Sequence, residues 1–195
     1  MMNTKYKVFD NCVPKQLSND IEITMTGESF PWFYTNKSVY TPDQDDRFDD
    51  GIHYKDKCSL GHAFTLGEPP KINSIFYEMI VELLETVSNS INIKCELLRA
   101  RANYTYPISA NQTDIPFSPH IDGDYEHKVL LYYVNDSDGD TLLFDDDINI
   151  IDRISPRKGR FIIFNGNLVH AACAPKVHEK RIVINYNLKL DYDYN

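Results

Sequence analysis

Residues 128–144 read KVLLYYVNDSDGDTLLF, and this stretch decides the fold. Val129, Leu131 and Tyr133 alternate along it, which puts them on one face of a strand. Asp138-Gly139 breaks the run, and a second apolar segment, Leu142-Leu143-Phe144, follows at once. The same rhythm continues on both sides. Strands are predicted over 95–106, 117–122, 128–134, 140–144, 148–154, 160–164 and 181–190, with turns at Pro156 to Gly159 and Asn165-Gly166. Regular short strands with turn punctuation argue for a sandwich or barrel.

Upstream the pattern changes. Ile72, Ile75, Phe76, Met79, Ile80, Leu83, Leu84 and Val87 recur at spacings of three and four, predicting a helix over 71–90 that backs a sheet. Residues 1–35 read as a short strand, a brief helix opening near Pro14, and irregular chain. Phe30-Pro31-Trp32-Phe33-Tyr34 reads as a core anchor or as one wall of a cleft. Residues 41–51, TPDQDDRFDDG, form an acidic loop. Arg47 stands where an EF-hand needs a ligand, which excludes calcium and leaves a lid or a solvated loop.

The chain has 195 residues, 42% hydrophobic and 25% charged, enough for one domain with a real core. A net charge of −9 argues against nucleic acid as a general partner, because a phosphate backbone is held by clustered Lys and Arg. The basic group Arg153, Arg157, Lys158 and Arg160 reads as a solvated turn. Cys12, Cys58, Cys95 and Cys173 stand apart with no C-x-x-C, as expected of reduced thiols in a cytoplasmic protein. Met1 to Asp10 lacks an apolar signal core, and no run is long enough to predict a membrane helix.

His120-Ile121-Asp122 ends an extended run after Pro116-Phe117-Ser118-Pro119. Positions i and i+2 of a strand share a face, so an imidazole and a carboxylate would meet one metal. His170, beyond the strand Phe161 to Phe164 and the turn Asn165-Gly166, supplies a third ligand. Two His and one carboxylate form the facial triad of non-haem Fe(II) oxygenases, with three coordination positions left open. His178 is the rival third ligand, in a segment that reads as exposed; His127 reads as solvated. Arg181 opens the strand Arg181 to Asn187, and its guanidinium can pair bidentately with a carboxylate. Arg99, Arg101 and Asn103 alternate on one strand face, either as a polar sheet surface or as a row facing substrate.

On these residues, in the order H-x-D-x(47)-H-x(10)-R, the region from Leu97 to Leu190 resembles the prolyl-hydroxylase-like branch of the 2-oxoglutarate/Fe(II) dioxygenases. The resemblance implies a mainly β fold with supporting helices, the double-stranded β-helix of jelly-roll or cupin type. It implies one domain over 1–195, with 1–92 a helical supporting layer and 93–195 the β-helix core. Fe(II), 2-oxoglutarate and O2 are the implied cofactors, and hydroxylation with release of succinate and CO2 the implied reaction. His120, Asp122 and His170 would hold the metal and Arg181 the co-substrate, with Tyr104 or Tyr133 as a further contact to it. The implied substrate is a peptidyl residue such as proline. A free amino acid or small metabolite is the second expectation, and a non-catalytic binding module with a vestigial metal site is the reading from another class. A zinc hydrolase is weaker, since no general base with its own positioning group is apparent.

Overall fold

The computed structural model describes residues 5–35, 59–108 and 116–191. Strand β1 (Tyr6–Phe9) leads to helix α1 (Lys15–Thr26), then to short strands β2 (Phe33–Thr35) and β3 (Ser59–Ala63). A small hairpin of β4 (Thr65–Leu66) and β5 (Lys71–Ile72) precedes helix α2 (Tyr77–Ile91). The remaining strands are β6 (Cys95–Thr105), β7 (Lys128–Tyr133), β8 (Thr141–Phe144), β9 (Ile150–Ile154), β10 (Phe161–Asn165), β11 (His170–Ala172) and β12 (Arg181–Leu190).

A major sheet runs β1-β10-β7-β12-β6-β3-β2, and a minor sheet runs β11-β8-β9. From β7 onward the chain passes from the major sheet to the minor one and back twice, which winds a double-stranded β-helix. Strand alternation sorts the side chains. Leu130 and Tyr132 of β7, with Ile182, Ile184, Tyr186 and Leu188 of β12, face the helices. There they pack on Ile21 and Met25 of α1 and on Ile80, Leu83 and Val87 of α2. Val129, Leu131, Tyr133, Ile162, Phe164 and Val183 point the other way and fill the space between the sheets with Leu143 and Ile154. No described helix is long and apolar enough to cross a membrane.

Several expectations are corrected. The first 92 residues are not only a helical layer: β1 pairs with β10 at one edge of the major sheet, and β3 pairs with β6 near the other. Helix α1 is longer than a quick stop at Ser18 to Asp20, because Ile21 and Met25 carry its apolar face one turn further. Helix α2 begins at Tyr77, and Ile72 and Ile75 lie outside it, exposed at 65% and 92%. Residues 117–122 form no strand. Pro116 and Pro119 lack an N–H, and backbone bonds from Phe117 to Ala172 and between His120 and His170 tie the segment to β11 without a continuous ladder. The acidic segment 41–51, His53 and Cys58 lie outside the described residues. Phe30 and Trp32 are core anchors, with Trp32 Nε1 donating to Met25 O at 3.0 Å, whereas Phe33 and Tyr34 are exposed.

The basic turn is also built into the fold. Arg160 makes a two-pronged bond to Asp10 at 2.7 and 2.8 Å, and Lys158 pairs with Glu22 of α1. No disulfide links Cys12, Cys95 and Cys173.

Leu83 is fully buried between α2 and the sheet. Leu83→Ala is expected to cost about 2–5 kcal/mol. Urea unfolding should show this as a lower midpoint with little change in slope.

Candidate metal centre and its cleft

His120, Asp122 and His170 come together at the mouth of the space between the sheets, with one ligand atom from each lying within 4.8 Å of the others. His120 Nε2 stands 3.8 Å from Asp122 Oδ1, and His170 Nε2 stands 3.9 Å from Asp122 Oδ2. Backbone hydrogen bonds join the two histidines in both directions at 3.0 Å, so the loop before Asp122 is stitched to the start of β11.

Tautomers are set by the second ring nitrogen. His120 Nδ1 lies 3.0 Å from Ser118 O, and His170 Nδ1 lies 3.0 Å from Leu168 O. A carbonyl only accepts, so both Nδ1 atoms carry the proton and both Nε2 lone pairs face the centre. Asp122 Oδ2 accepts from Asn185 Nδ2 at 2.8 Å, which fixes the carboxylate with Oδ1 beside His120 and Oδ2 beside His170. Orientation of ligands by outer hydrogen bonds is what a metal site needs. The donor set fits Fe(II): two imidazoles and a carboxylate, no thiolate, one open side.

Burial holds the His120 imidazole well below its ordinary value, with His170 adding to the effect and Asp122 opposing it. Burial pushes the Asp122 carboxyl up, but His170, His120 and the Asn185 bond outweigh it and hold the carboxyl down. His120 thus favours the neutral imidazole and Asp122 the carboxylate, the forms in which these two side chains bind a metal ion.

Further inside, Arg181 is 2% exposed. Its Nε donates to Gly139 O at 2.7 Å and its Nη2 to Thr141 Oγ1 at 2.7 Å. Both partners are neutral. Among the described residues no carboxylate pairs with this buried guanidinium, although burial of an unpaired charge is costly. Thr141 Oγ1 also accepts from Tyr133 Oη at 2.8 Å. With two bonds accepted, its own proton is left to donate into the cleft, which Thr141 lines together with Arg181, His120, Asp122 and His170. Gly139 is required by contact: a Cβ there would stand 2.6 Å from Cys173 O and 3.0 Å from Arg181 Cδ.

Tyr133 therefore reaches Arg181 through Thr141, with the guanidinium 5.8 Å from its ring centre. Tyr104 is a correction. It lies on the helix side of β6, packed edge-on to Trp32 at 5.4 Å, because Arg101, Asn103 and Thr105 take the cleft side. His178 is drawn off by Asp138, 3.0 Å away, and His127 is buried rather than solvated. Asp138 was missed as a positioning group. It accepts from the backbone of Lys176, Val177 and His178, shaping the loop that delivers Arg181. Despite opposing burial, those bonds push its carboxyl down to about 2. Thr141 and Asn185 were missed too, though each is a polar residue inside an apolar strand.

Residues 108–189 match the family model described as the 2OG-Fe(II) oxygenase superfamily. A comparison with curated proteins gave no sequence match. Among solved structures, the chain is similar to a 2OG-Fe(II) oxygenase family oxidoreductase from Burkholderia pseudomallei, with TM-score 0.71 and 11% identity over 96% of this chain and 86% of that one. It is also similar to a prolyl hydroxylase from Trichoplax adhaerens in complex with a hypoxia inducible factor peptide, with TM-score 0.60 and 14% identity over 95% and 84%. A third is the non-haem alpha ketoglutarate dependent epimerase SnoN from nogalamycin biosynthesis, with TM-score 0.61 and 9% identity over 94% and 78%. At these identities the structural likeness speaks to fold, and the family match is confined to residues 108–189.

The His120 environment has a consequence for stability. Unfolded, its imidazole titrates near about 6.5. Folded, it resists the proton, so as pH falls below that value the unfolded chain binds more protons than the native one. The metal-free protein should lose stability as pH drops from neutrality into the acid range. His120→Gln should flatten that slope, as read by thermal melts at a series of pH values.

Proposed function

We propose that this chain, whose residues 108–189 match the 2OG-Fe(II) oxygenase family model, hydroxylates an unactivated C–H bond of a peptidyl residue such as proline. The observation that carries the reading is Arg181, a buried cation with no counter-ion among the described residues, in the cleft that also holds the triad. A dicarboxylate with one end at the metal and the other at Arg181 satisfies both.

Iron, when bound, supplies oxygen activation coupled to decarboxylation of 2-oxoglutarate to succinate and CO2, with one oxygen atom going to the substrate carbon. The chain's own residues do the rest. His120 and His170 present Nε2, and Asp122 a carboxylate oxygen held in place by Asn185. Arg181 receives the distal carboxylate, and Thr141 offers it a hydroxyl proton, backed by Tyr133. Phe117, Leu131 and Val183 line the same cleft and keep water from its walls. We take 1–195 as one catalytic unit, since β1, β3 and both helices are built onto the major sheet that carries the site.

A peptidyl substrate is supported by likeness to a prolyl hydroxylase whose structure holds a peptide. The second reading, a free amino acid or other small metabolite, is favoured by the polar lining near the metal, Arg101, Asn103 and Asn185. A vestigial binding module is not favoured, because all three ligands and the arginine are in place.

The test is anaerobic. Fe(II) is added to metal-free protein, 2-oxoglutarate is titrated, and the visible charge-transfer band is followed. The band should be absent in His170→Ala. In Arg181→Ala the 2-oxoglutarate affinity should fall roughly 10- to 150-fold, the worth of a lost charge-assisted bond. Folded, metal-loaded wild-type protein without a band would overturn the reading.

A further inference from the structure

A second arginine stands in the cleft without a bonded partner among the described residues. Arg101 lies on the inward face of β6, directly across from Asn185 of β12. Its guanidinium is seated over Gly61 of β3, where an added Cβ would stand 3.2 Å from Arg101 Nη2. Glycine at 61 leaves the space that the guanidinium occupies. Among the described residues Arg101 makes no hydrogen bond and no ion pair. It is half-buried, and burial pulls its proton affinity down, with Arg99 adding to the effect and Asp122 opposing it. An arginine so placed normally has a bonded partner, because its five donors lose water on burial.

Two further groups around it are unsatisfied. Asn103 Oδ1 and Asn185 Oδ1 are buried with no hydrogen bond. The Asn185 amide is oriented by its bond to Asp122, so its oxygen is committed to face away from that carboxylate. The charges are unbalanced in the same place. With metal bound, the divalent ion and the two cleft arginines exceed Asp122 and the two carboxylates of 2-oxoglutarate by one positive charge. Arg99, one step nearer the mouth and opposite Asn187, adds to the excess. In a cleft of low polarity such an excess draws a further anion.

We propose that Arg101 orients the substrate: seated over Gly61 at the level of the triad, it holds a carboxylate of the substrate and so fixes which C–H bond faces the metal. This rests on the oxygenase reading above and names the substrate chemistry for the same site. Two sources provide that carboxylate, the α-carboxylate of a free amino acid or the side chain of an acidic residue beside the target in a peptide. The rival role for Arg101 is a second hold on 2-oxoglutarate.

The test measures binding. Protein loaded with Mn(II) in place of Fe(II), plus saturating 2-oxoglutarate, is titrated with three carboxylate probes: acetate, L-proline and acetyl-Ala-Pro-Glu-amide. Paramagnetic relaxation of the probe protons reports occupancy near the metal. L-prolinamide and the Gln peptide are the controls that lack the carboxylate. At least one carboxylate probe should show saturable relaxation, about tenfold tighter than its carboxylate-free control where it has one. Arg101→Gln should remove that relaxation while changing 2-oxoglutarate affinity less than about twofold, and Gly61→Val, which crowds the guanidinium, should weaken it. A preference for L-proline assigns the free amino acid, and a preference for the Glu peptide assigns the acidic side chain. Acetate binding alone leaves the anion site standing with a different scaffold. Intact Mn(II) and 2-oxoglutarate binding with no Arg101-dependent relaxation from any probe overturns the proposal alone. A loss of 2-oxoglutarate affinity in Arg101→Gln overturns it in favour of the rival role. Failure of wild-type protein to bind Mn(II) and 2-oxoglutarate removes the oxygenase reading and this proposal with it.

Discussion

The register of β12 is the constraint on which the rest depends. This strand lies between β7 and β6 and pairs with both along most of its length. One face, Ile182, Ile184, Tyr186 and Leu188, is fixed to the helices, and Tyr186 Oη donates to Ile80 O at 2.9 Å. The other face, Arg181, Val183 and Asn185, lines the cleft. A slip of one residue would exchange the two sets, driving Arg181 against the helices and presenting Ile184 to the metal. Burial of the aliphatic face is therefore what aims the polar one. The energy that aims the site is hydrophobic, although nothing apolar takes part in the chemistry.

A different device holds the triad. Each histidine is turned by a backbone carbonyl two residues before it, Ser118 O for His120 and Leu168 O for His170. The two residues are then joined to each other through their backbones. Ring orientation and spacing are thus settled by the chain before any metal arrives, and Asn185 ties Asp122 to the same β12 that carries Arg181. Metal end and co-substrate end of the cleft share one strand, so they cannot drift apart independently.

What was legible in the sequence follows from this division. His120, Asp122, His170 and Arg181 stood out because chemistry-bearing residues recurred at a fixed spacing beside apolar segments. Alternation along Arg99 to Thr105 also contained the answer for Tyr104: if Arg101 and Asn103 face the cleft, residue 104 cannot. There the family resemblance overrode the pattern, and the pattern was right. Thr141 and Asn185 were visible only as polar interruptions, since their roles depend on partners far along the chain, Arg181 and Asp122. Strands β2 and β3 were not legible at all. Ser59-Leu60-Gly61-His62-Ala63 has no β-branched residue and pairs because β6 offers it an edge.

The acidity of the whole chain says little about what its cleft attracts. A net charge of −9 coexists with two inward arginines that no described carboxylate neutralises. Their places on the sheet differ in a way that divides the work. Arg181 pairs in register with Thr105, and Asn185, which holds Asp122, pairs with Arg101. Four residues of strand separate these two levels, roughly 13 Å at the usual rise. The deep level lies away from the metal and suits the far end of an extended co-substrate. The outer level is that of the metal itself, open toward the mouth. An anion held there by Arg101 would lie beside the reacting centre, where small changes in its position decide which hydrogen is presented.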